Sequence, residues 1–211
     1  MRRGPSFILL ALLGACGGDS SPDTVGSVAL AIDVDSGEVV YSSVGGPSDP
    51  VQVGWVTGSA GDVNGDGFDD LLVTSIREGS GSQGSAHVFL ATGSGLPAAP
   101  SWSVEGQDQG NLGQAAAGVG DLDGDGFDDL VVGEPGYGPN DEGRILIYLG
   151  SPSGPSLSPD RVYEGSSESD AQTGASIAAV GDLNGDGLAD FVIGEPGANV
   201  SGSNEGQLQL F

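Results

Sequence analysis

The chain has 211 residues, of which 30 are acidic and only 5 are basic, and its formal net charge is −25. This charge argues against nucleic acid as a partner and against electrostatic attraction to anionic lipid. Cys16 is the only cysteine and His87 the only histidine, and lysine is absent. No intrachain disulfide can form, and a Cys/His or Ser/His nucleophile is hard to assemble. We therefore expect a protein that is not an enzyme.

Residues 1–15 are predicted to be a lipoprotein signal peptide. A basic start, Met1–Arg3, precedes an apolar stretch over 7–13 that is too short to span a membrane as a helix. Leu13-Gly14-Ala15-Cys16 resembles the bacterial lipobox, so Cys16 is the predicted lipidation site and residues 16–27 a flexible tether. We expect export to the bacterial cell envelope, at the outer membrane, with membrane contact only through the lipid. A plain secretory signal is the alternative.

The rest of the chain, residues 28–211, shows the patterns of β-strands. A short hairpin is predicted from Val28–Ile32 and Val39–Ser43. A unit of about 60 residues then repeats, with a glycine-rich strand, an acidic loop, an apolar strand, a third strand and an outer strand. In the middle unit these strands are predicted at 113–120, 130–133, 144–149 and 161–164, and the third unit stops within its third strand at Phe211. No 3.6-residue periodicity occurs, so the fold is predicted to be all-β, with blades like those of a β-propeller.

The acidic loop occurs at 62–70, 121–129 and 182–190. Its first, third, fifth and ninth residues carry side-chain oxygen, and its seventh would offer a backbone carbonyl. The sixth is always glycine, which permits a sharp turn. Calcium takes six to eight oxygen ligands, and one such loop can supply most of them. About three Ca²⁺ ions are therefore predicted, one per loop. The predicted ligands are Asp62, Asn64, Asp66, Phe68 and Asp70; Asp121, Asp123, Asp125, Phe127 and Asp129; and Asp182, Asn184, Asp186, Leu188 and Asp190.

Two other interpretations of the loops are weaker. An EF-hand requires a glutamate at position 12 and flanking helices, whereas position 12 here is Val73, Val132 or Ile193 within an apolar β-type run. Asn-Gly and Asp-Gly also form hairpin turns without any metal. Three copies with oxygen at the same positions favour calcium. The second loop has four aspartates, and we expect it to bind most tightly.

The order of motifs resembles the FG-GAP repeats of integrin α-subunit β-propellers and their bacterial relatives. The middle unit carries it as Leu112-Gly113, then Gly120–Gly126, then Gly133-Glu134-Pro135. The resemblance implies four-stranded antiparallel blades, and three repeats make an incomplete propeller, because propellers have four or more blades. The sequence is therefore expected to be a fragment of a longer protein or the product of a truncated gene; the alternative is that the outer strand missing from the last blade comes from the N-terminal hairpin. The chain departs from the family at Val53, Leu112 and Thr173 in place of phenylalanine, at Glu134 and Glu195 in place of alanine, and over Thr74–Ile76.

The resemblance also implies a function. Calcium would be structural, on a rim away from the ligand-binding face, and the protein would be a binding or adhesion module for an unknown protein or glycan ligand. Trp55 and Trp102 are predicted to fill space between blades and not to contact ligand. Two alternatives stay open: an accessory propeller of a larger secreted enzyme, and a purely structural protein of the envelope.

Overall fold

The computed structural model describes residues 27–33, 38–44, 52–76, 81–165, 170–199 and 205–211, with side chains from residue 52 onward. Every regular secondary-structure element within these ranges is a β-strand, which confirms the all-β prediction. Among the described residues no apolar helix of membrane-spanning length occurs. The predicted signal peptide, Cys16 and the tether up to residue 26 lie outside the described residues.

The predicted N-terminal hairpin is present. Strand β1 (Ser27–Asp33) pairs antiparallel with β2 (Glu38–Val44), with Leu30 opposite Tyr41. The two strands form a two-stranded sheet of their own. Neither is hydrogen-bonded to the last blade in the described structure, so the suggestion that the hairpin completes that blade is wrong. Strands joined by a short connection pair with each other at small loop-closure cost.

Two four-stranded antiparallel sheets follow, and in each the strands pair in chain order. The first sheet contains β3 (Gln52–Gly61), β4 (Asp70–Ile76), β5 (Ser85–Phe89) and β6 (Trp102–Glu105). The second contains β7 (Ala116–Gly120), β8 (Asp129–Glu134), β9 (Arg144–Tyr148) and β10 (Arg161–Glu164). Four strands per repeat confirm the predicted blade architecture.

The third sheet has three described strands, β11 (Ser176–Gly181), β12 (Asp190–Glu195) and β13 (Gln207–Leu210), which pair in that order. Residues Leu208 and Leu210 of β13 are 67% and 55% exposed. The residues one repeat earlier, Ile145 and Ile147, are buried at 0% and 7% exposure. The outward face of the third sheet is therefore apolar like a face between blades, as in an incomplete propeller.

The core lies between the sheets and not within them. Along β8 and β9, alternate residues point to opposite faces, as the two-residue period of a strand requires. Leu130, Val132, Leu146 and Tyr148 belong to the core shared with the first sheet. Val131, Ile145 and Ile147 belong to the core shared with the third sheet. Because both faces are buried, these strands are continuous apolar runs and not alternating ones.

The first strands of the three sheets, β3, β7 and β11, lie side by side. Their backbones approach closely, and Gly118 of β7 shows why small residues are needed there. A Cβ atom at Gly118 would lie 2.4 Å from the carbonyl oxygen of Ala60 in β3. The glycine-rich character of these strands therefore follows from the packing of one sheet against the next.

Candidate metal centre

Each acidic loop connects the first two strands of its sheet, between β3 and β4, between β7 and β8, and between β11 and β12. All three loops therefore lie at the same edge of their sheets. Strands flank every loop, which confirms the predicted strand–loop–strand arrangement and is incompatible with an EF-hand. The glycine at position six has positive φ in each copy: 90° for Gly67, 94° for Gly126 and 93° for Gly187.

The first aspartate of each loop holds the loop closed. One carboxylate oxygen of Asp62 accepts a hydrogen bond from the N–H of Asp66 at 3.0 Å, and the other accepts one from Gly67 at 2.8 Å. In the second and third loops the corresponding position-six bonds, from Gly126 to Asp121 and from Gly187 to Asp182, measure 2.9 and 3.0 Å. The carboxylates are thus turned toward the inside of their own loops.

The ninth residue of each loop is the first residue of the following strand and is buried. Asp70, Asp129 and Asp190 are 2%, 0% and 6% exposed. The carboxylate of Asp129 accepts hydrogen bonds from the N–H of Leu122 at 2.7 Å and of Gly150 at 2.7 Å. The aspartate therefore links the loop to the segment that follows the third strand of the sheet.

Two of these buried carboxyl groups, those of Asp70 and Asp129, are costly to ionise. Burial raises the pKa of Asp70 and of Asp129 to about 6, from an ordinary value of 3.8. Backbone N–H donors oppose this rise, and neighbouring carboxylates of the same loop add to it. Burial also acts to raise the pKa of Asp121, but four backbone N–H groups, led by that of Gly126, outweigh it and lower that pKa. A cation in the loop would offset the cost of the buried charges.

The second loop shows the convergence of ligand atoms most directly. One carboxylate oxygen from each of Asp121, Asp123 and Asp129 lies within 4.8 Å of the other two. The chemistry is all-oxygen and anionic, which suits a hard divalent cation. In the first and third loops an asparagine stands at the third position, as Asn64 and Asn184.

The fifth-position aspartates also lie on the loops. Their carboxylates accept the N–H of the seventh residue, at 3.0 Å from Phe68 and from Phe127 and at 2.9 Å from Leu188. The ligand roles of these aspartates and of the three seventh-position carbonyls stay predictions.

Sequence reasoning missed the eighth residue of the second loop. The carboxylate of Asp128 contacts the preceding loop and not its own. It accepts a hydrogen bond from the N–H of Asp62, the first residue of that loop, at 2.8 Å. The only signal in the sequence is that position eight is aspartate in two loops, Asp69 and Asp128, and alanine in the third, Ala189.

The opposite edge of the sheets carries a small cleft of about 120 Å³. Its lining residues are Asn111, Gln114, Pro135, Gly136, Asp141 and Gln172. Trp55 lies beside it, 53% exposed, and its indole N–H donates to the carbonyl of Gln114 at 3.1 Å. Trp55 is therefore not the inter-blade filler that we predict from the sequence. Trp102 is one, since it is 5% exposed and packs edge-on against Tyr148.

The sheets, their stacking and the repeated acidic loop define a repeat protein of the β-propeller class. A family model described as FG-GAP repeat matches residues 54–89, 113–148 and 173–211. The chain belongs to the FG-GAP repeat family.

Integrin α-subunits are among the relatives. The chain is 32% identical to integrin alpha-5 of Xenopus laevis over 154 residues, which are 68% of this chain and 15% of that protein. It is 35% identical to integrin alpha-IIb of Homo sapiens over 147 residues, 65% of this chain and 14% of the relative. Integrin alpha-PS2 of Drosophila melanogaster is 33% identical over 113 residues, 49% of this chain and 8% of its own length. The chain thus spans about a seventh of the first two relatives.

Proposed function

We propose that this protein is a calcium-binding FG-GAP module that serves in binding or adhesion and not in catalysis. The observation that carries the calcium proposal is the convergence of oxygens from Asp121, Asp123 and Asp129 within 4.8 Å, in a loop whose pattern occurs three times. The binding role is supported by the integrin α relatives, which share the repeats. Cell-envelope location, with Cys16 as the lipid anchor, is part of the proposal and rests on the sequence pattern alone.

Calcium in this proposal has a structural task. The first and third residues of each loop would bind the ion together with the buried aspartate that begins the second strand. The ion would neutralise carboxylates such as Asp70 and Asp129, whose burial makes ionisation costly. It would thereby fix the connection between the first two strands of every sheet. A ligand that binds only the folded state stabilises it by mass action.

Thermal unfolding of the full chain tests this calcium role. We expect millimolar Ca²⁺ to raise the unfolding midpoint well above that in EDTA, since extracellular calcium modules bind at about 10⁻⁴–10⁻³ M. Replacing Asp66, Asp125 and Asp186 together by alanine should remove most of this rise. The control variant has alanine in place of Glu105, Asp108 and Glu164, which are exposed and lie outside the loops. It loses the same amount of charge and should keep the calcium-dependent rise of the unfolding midpoint. If the unfolding midpoint of the unmodified chain is the same in calcium and in EDTA, the calcium role is disproved.

The ligand would bind at the edge of the sheets opposite the calcium loops, where Trp55 is exposed beside the polar cleft. The partner is proposed to be a protein or a glycan. A glycan and protein array probed with the full chain tests this, with Trp55→Ala as the variant that should lose binding. The control is Leu157→Ala, which removes another exposed apolar side chain, 73% exposed, outside the cleft. Binding that survives Trp55→Ala would place the ligand elsewhere.

A further inference from the structure

The first two acidic loops are in direct contact through the eighth residue of the second. The carboxylate of Asp128 accepts the N–H of Asp62 at 2.8 Å, and the N–H of Asp128 donates to the carbonyl of Asp62 at 3.2 Å. Asp62 is the first proposed ligand of the first loop, and Asp128 stands between two proposed ligands of the second, Phe127 and Asp129. We propose that Asp128 couples the two sites, so that an ion in the second loop strengthens ion binding in the first.

A second contact joins the same two loops. The ring of Phe127 packs on Gly65, the fourth residue of the first loop, and a Cβ atom at Gly65 would lie 2.6 Å from the ring. The seventh residue of one loop thus rests on the turn of the preceding loop. Any ordering of Phe127 and Asp128 by an ion in the second loop would be passed to the first loop through two points of contact.

A third connection runs through the segment after β9. Gly150 donates its N–H to Asp129 at 2.7 Å, and the next residue, Ser151, donates to the carbonyl of Val63 at 3.1 Å. Val63 follows Asp62 directly and is fully buried. The proposed ligand Asp129 is therefore also connected to the first loop through Gly150 and Ser151. The two loops form one hydrogen-bonded unit.

The third repeat provides an internal comparison. Ala189 occupies the position of Asp128 and keeps the backbone bond, from its N–H to the carbonyl of Asp121 at 2.9 Å. It has no carboxylate to accept the N–H of Asp121. Leu188 lies over Gly124 as Phe127 lies over Gly65, but less closely. The second and third sites should therefore be coupled more weakly than the first and second.

The coupling rests on the proposed calcium function and is reciprocal, since each ion must strengthen the other by the same factor. Coupling between linked sites ranges over about 5- to 150-fold in affinity. A single hydrogen bond to a carboxylate at a partly buried position is expected to lie at the lower end, at about five-fold. The corresponding factor for the second and third sites should be close to one.

The test is a calcium titration of the full chain in which each loop is followed separately by NMR. The amide groups of Gly67, Gly126 and Gly187 serve as reporters, because each donates to the first aspartate of its own loop. Asp123→Ala disables the second loop at an exposed position. We expect this change to weaken binding at Gly67 about five-fold, and to leave Gly187 almost unaffected.

Asp128→Ala should remove most of this effect, because the contacts that remain between the two loops leave the N–H of Asp62 without its carboxylate acceptor. The variant carries the residue that the third loop already has at this position, and it removes only the cross-loop carboxylate. In its background, Asp123→Ala should weaken calcium binding at the first site by much less than it does in the unmodified chain. The matched control is Asp69→Ala, at the same position of the first loop. Asp69 is exposed and makes no hydrogen bond among the described residues, so the five-fold effect should persist there. Ala189→Asp should create a similar coupling between the third site and the second.

The outcomes separate this inference from the proposed function. If calcium binds at none of the three reporters, the calcium function fails and the coupling fails with it. If all three loops bind calcium but Asp123→Ala leaves the first site unchanged, the coupling alone is wrong. The same holds if the effect survives undiminished in Asp128→Ala, because the coupling would then not run through that carboxylate.

Discussion

Acidification should stabilise the calcium-free protein over part of the pH range, which is the opposite of ordinary acid denaturation. The cause lies in Asp70 and Asp129, which are 2% and 0% exposed and whose pKa burial raises to about 6 from 3.8. A carboxyl with a folded-state pKa above its unfolded-state pKa binds more protons in the folded chain. The free energy of unfolding therefore falls as pH rises from the unfolded-state pKa through the folded-state pKa, and it levels off about one pH unit above the latter.

The size of the effect follows from the shifts. Each pKa unit corresponds to about 1.4 kcal/mol, so raising the pH from about 4.5 to about 7 should cost about 2 kcal/mol for each of the two carboxyls. The two together give about 4 kcal/mol. Self-repulsion of the acidic surface acts in the same direction, but about 1 M salt screens exposed charges and leaves the cost of burial. High salt therefore isolates the two buried groups.

Urea unfolding of the metal-free full chain, at several pH values in high salt, measures this loss. The expected result is a fall of about 4 kcal/mol between about pH 4.5 and pH 7 and a plateau above that range. With saturating calcium the trend should reverse, because protons and calcium compete for the same oxygens. A calcium-free protein whose stability stays flat or increases with pH in high salt would refute the argument that Asp70 and Asp129 are costly to ionise.

Three further predictions concern packing and the metal loops. Thr173 is fully buried and its hydroxyl has no hydrogen-bond partner among the described residues, so Thr173→Val should raise stability by about 1–2 kcal/mol in urea unfolding. Leu130→Ala should cost about 2–5 kcal/mol because it opens a cavity between the first two sheets, whereas Leu157→Ala, 73% exposed, should change stability by less than about 0.5 kcal/mol. Asn64→Asp should bring the calcium affinity of the first loop toward that of the second in calorimetric titration; an unchanged affinity would contradict the expected advantage of four aspartates.

Much of the fold is readable from the sequence because each repeat gives the same local signals. The outer strand predicted at 161–164 is β10, and the apolar run predicted at 130–133 is the centre of β8. The loops are equally readable, since glycine and oxygen-bearing residues at fixed spacing impose their conformation locally. These features depend on neighbours in the chain, which is what a sequence pattern records.

Contacts between repeats are different, since their partners are about 60 residues apart. Glu134 looks out of place in an apolar strand, yet it is fully buried, accepts the N–H of Gln107 at 2.6 Å and pairs with Arg144 at 2.6 Å. For the same reason, sequence reasoning missed the role of Asp128 and assigned Trp55 wrongly to the space between blades. The role of each of these residues depends on a residue of a neighbouring sheet or loop, and the sequence around it does not indicate that role.

The three repeats differ mainly where the sheets meet. At the position of Glu134 the first sheet has Ser75, which is buried and whose hydroxyl has no hydrogen-bond partner in the part of the chain that the structure describes. The third sheet has Glu195 there, which accepts hydrogen bonds from the side-chain amides of Gln207 and Gln209. The ion would demand the same oxygens in each loop, so the loops stay alike. A residue at a contact between two sheets needs to fit only the one sheet that it faces. The residues at these contacts can therefore differ from repeat to repeat.

This division has a consequence for the order of unfolding. Stacked repeats gain stability from contacts with their neighbours, so a unit buried on both faces should open last. The second sheet is such a unit, with Leu130 and Val132 in one core and Val131 and Ile145 in the other. Among the residues that the structure describes, only one face of the third sheet is covered, and its Leu208 is 67% exposed. Backbone amides of β8 should therefore exchange hydrogen more slowly than those of β12, although the two strands occupy the same place in their repeats.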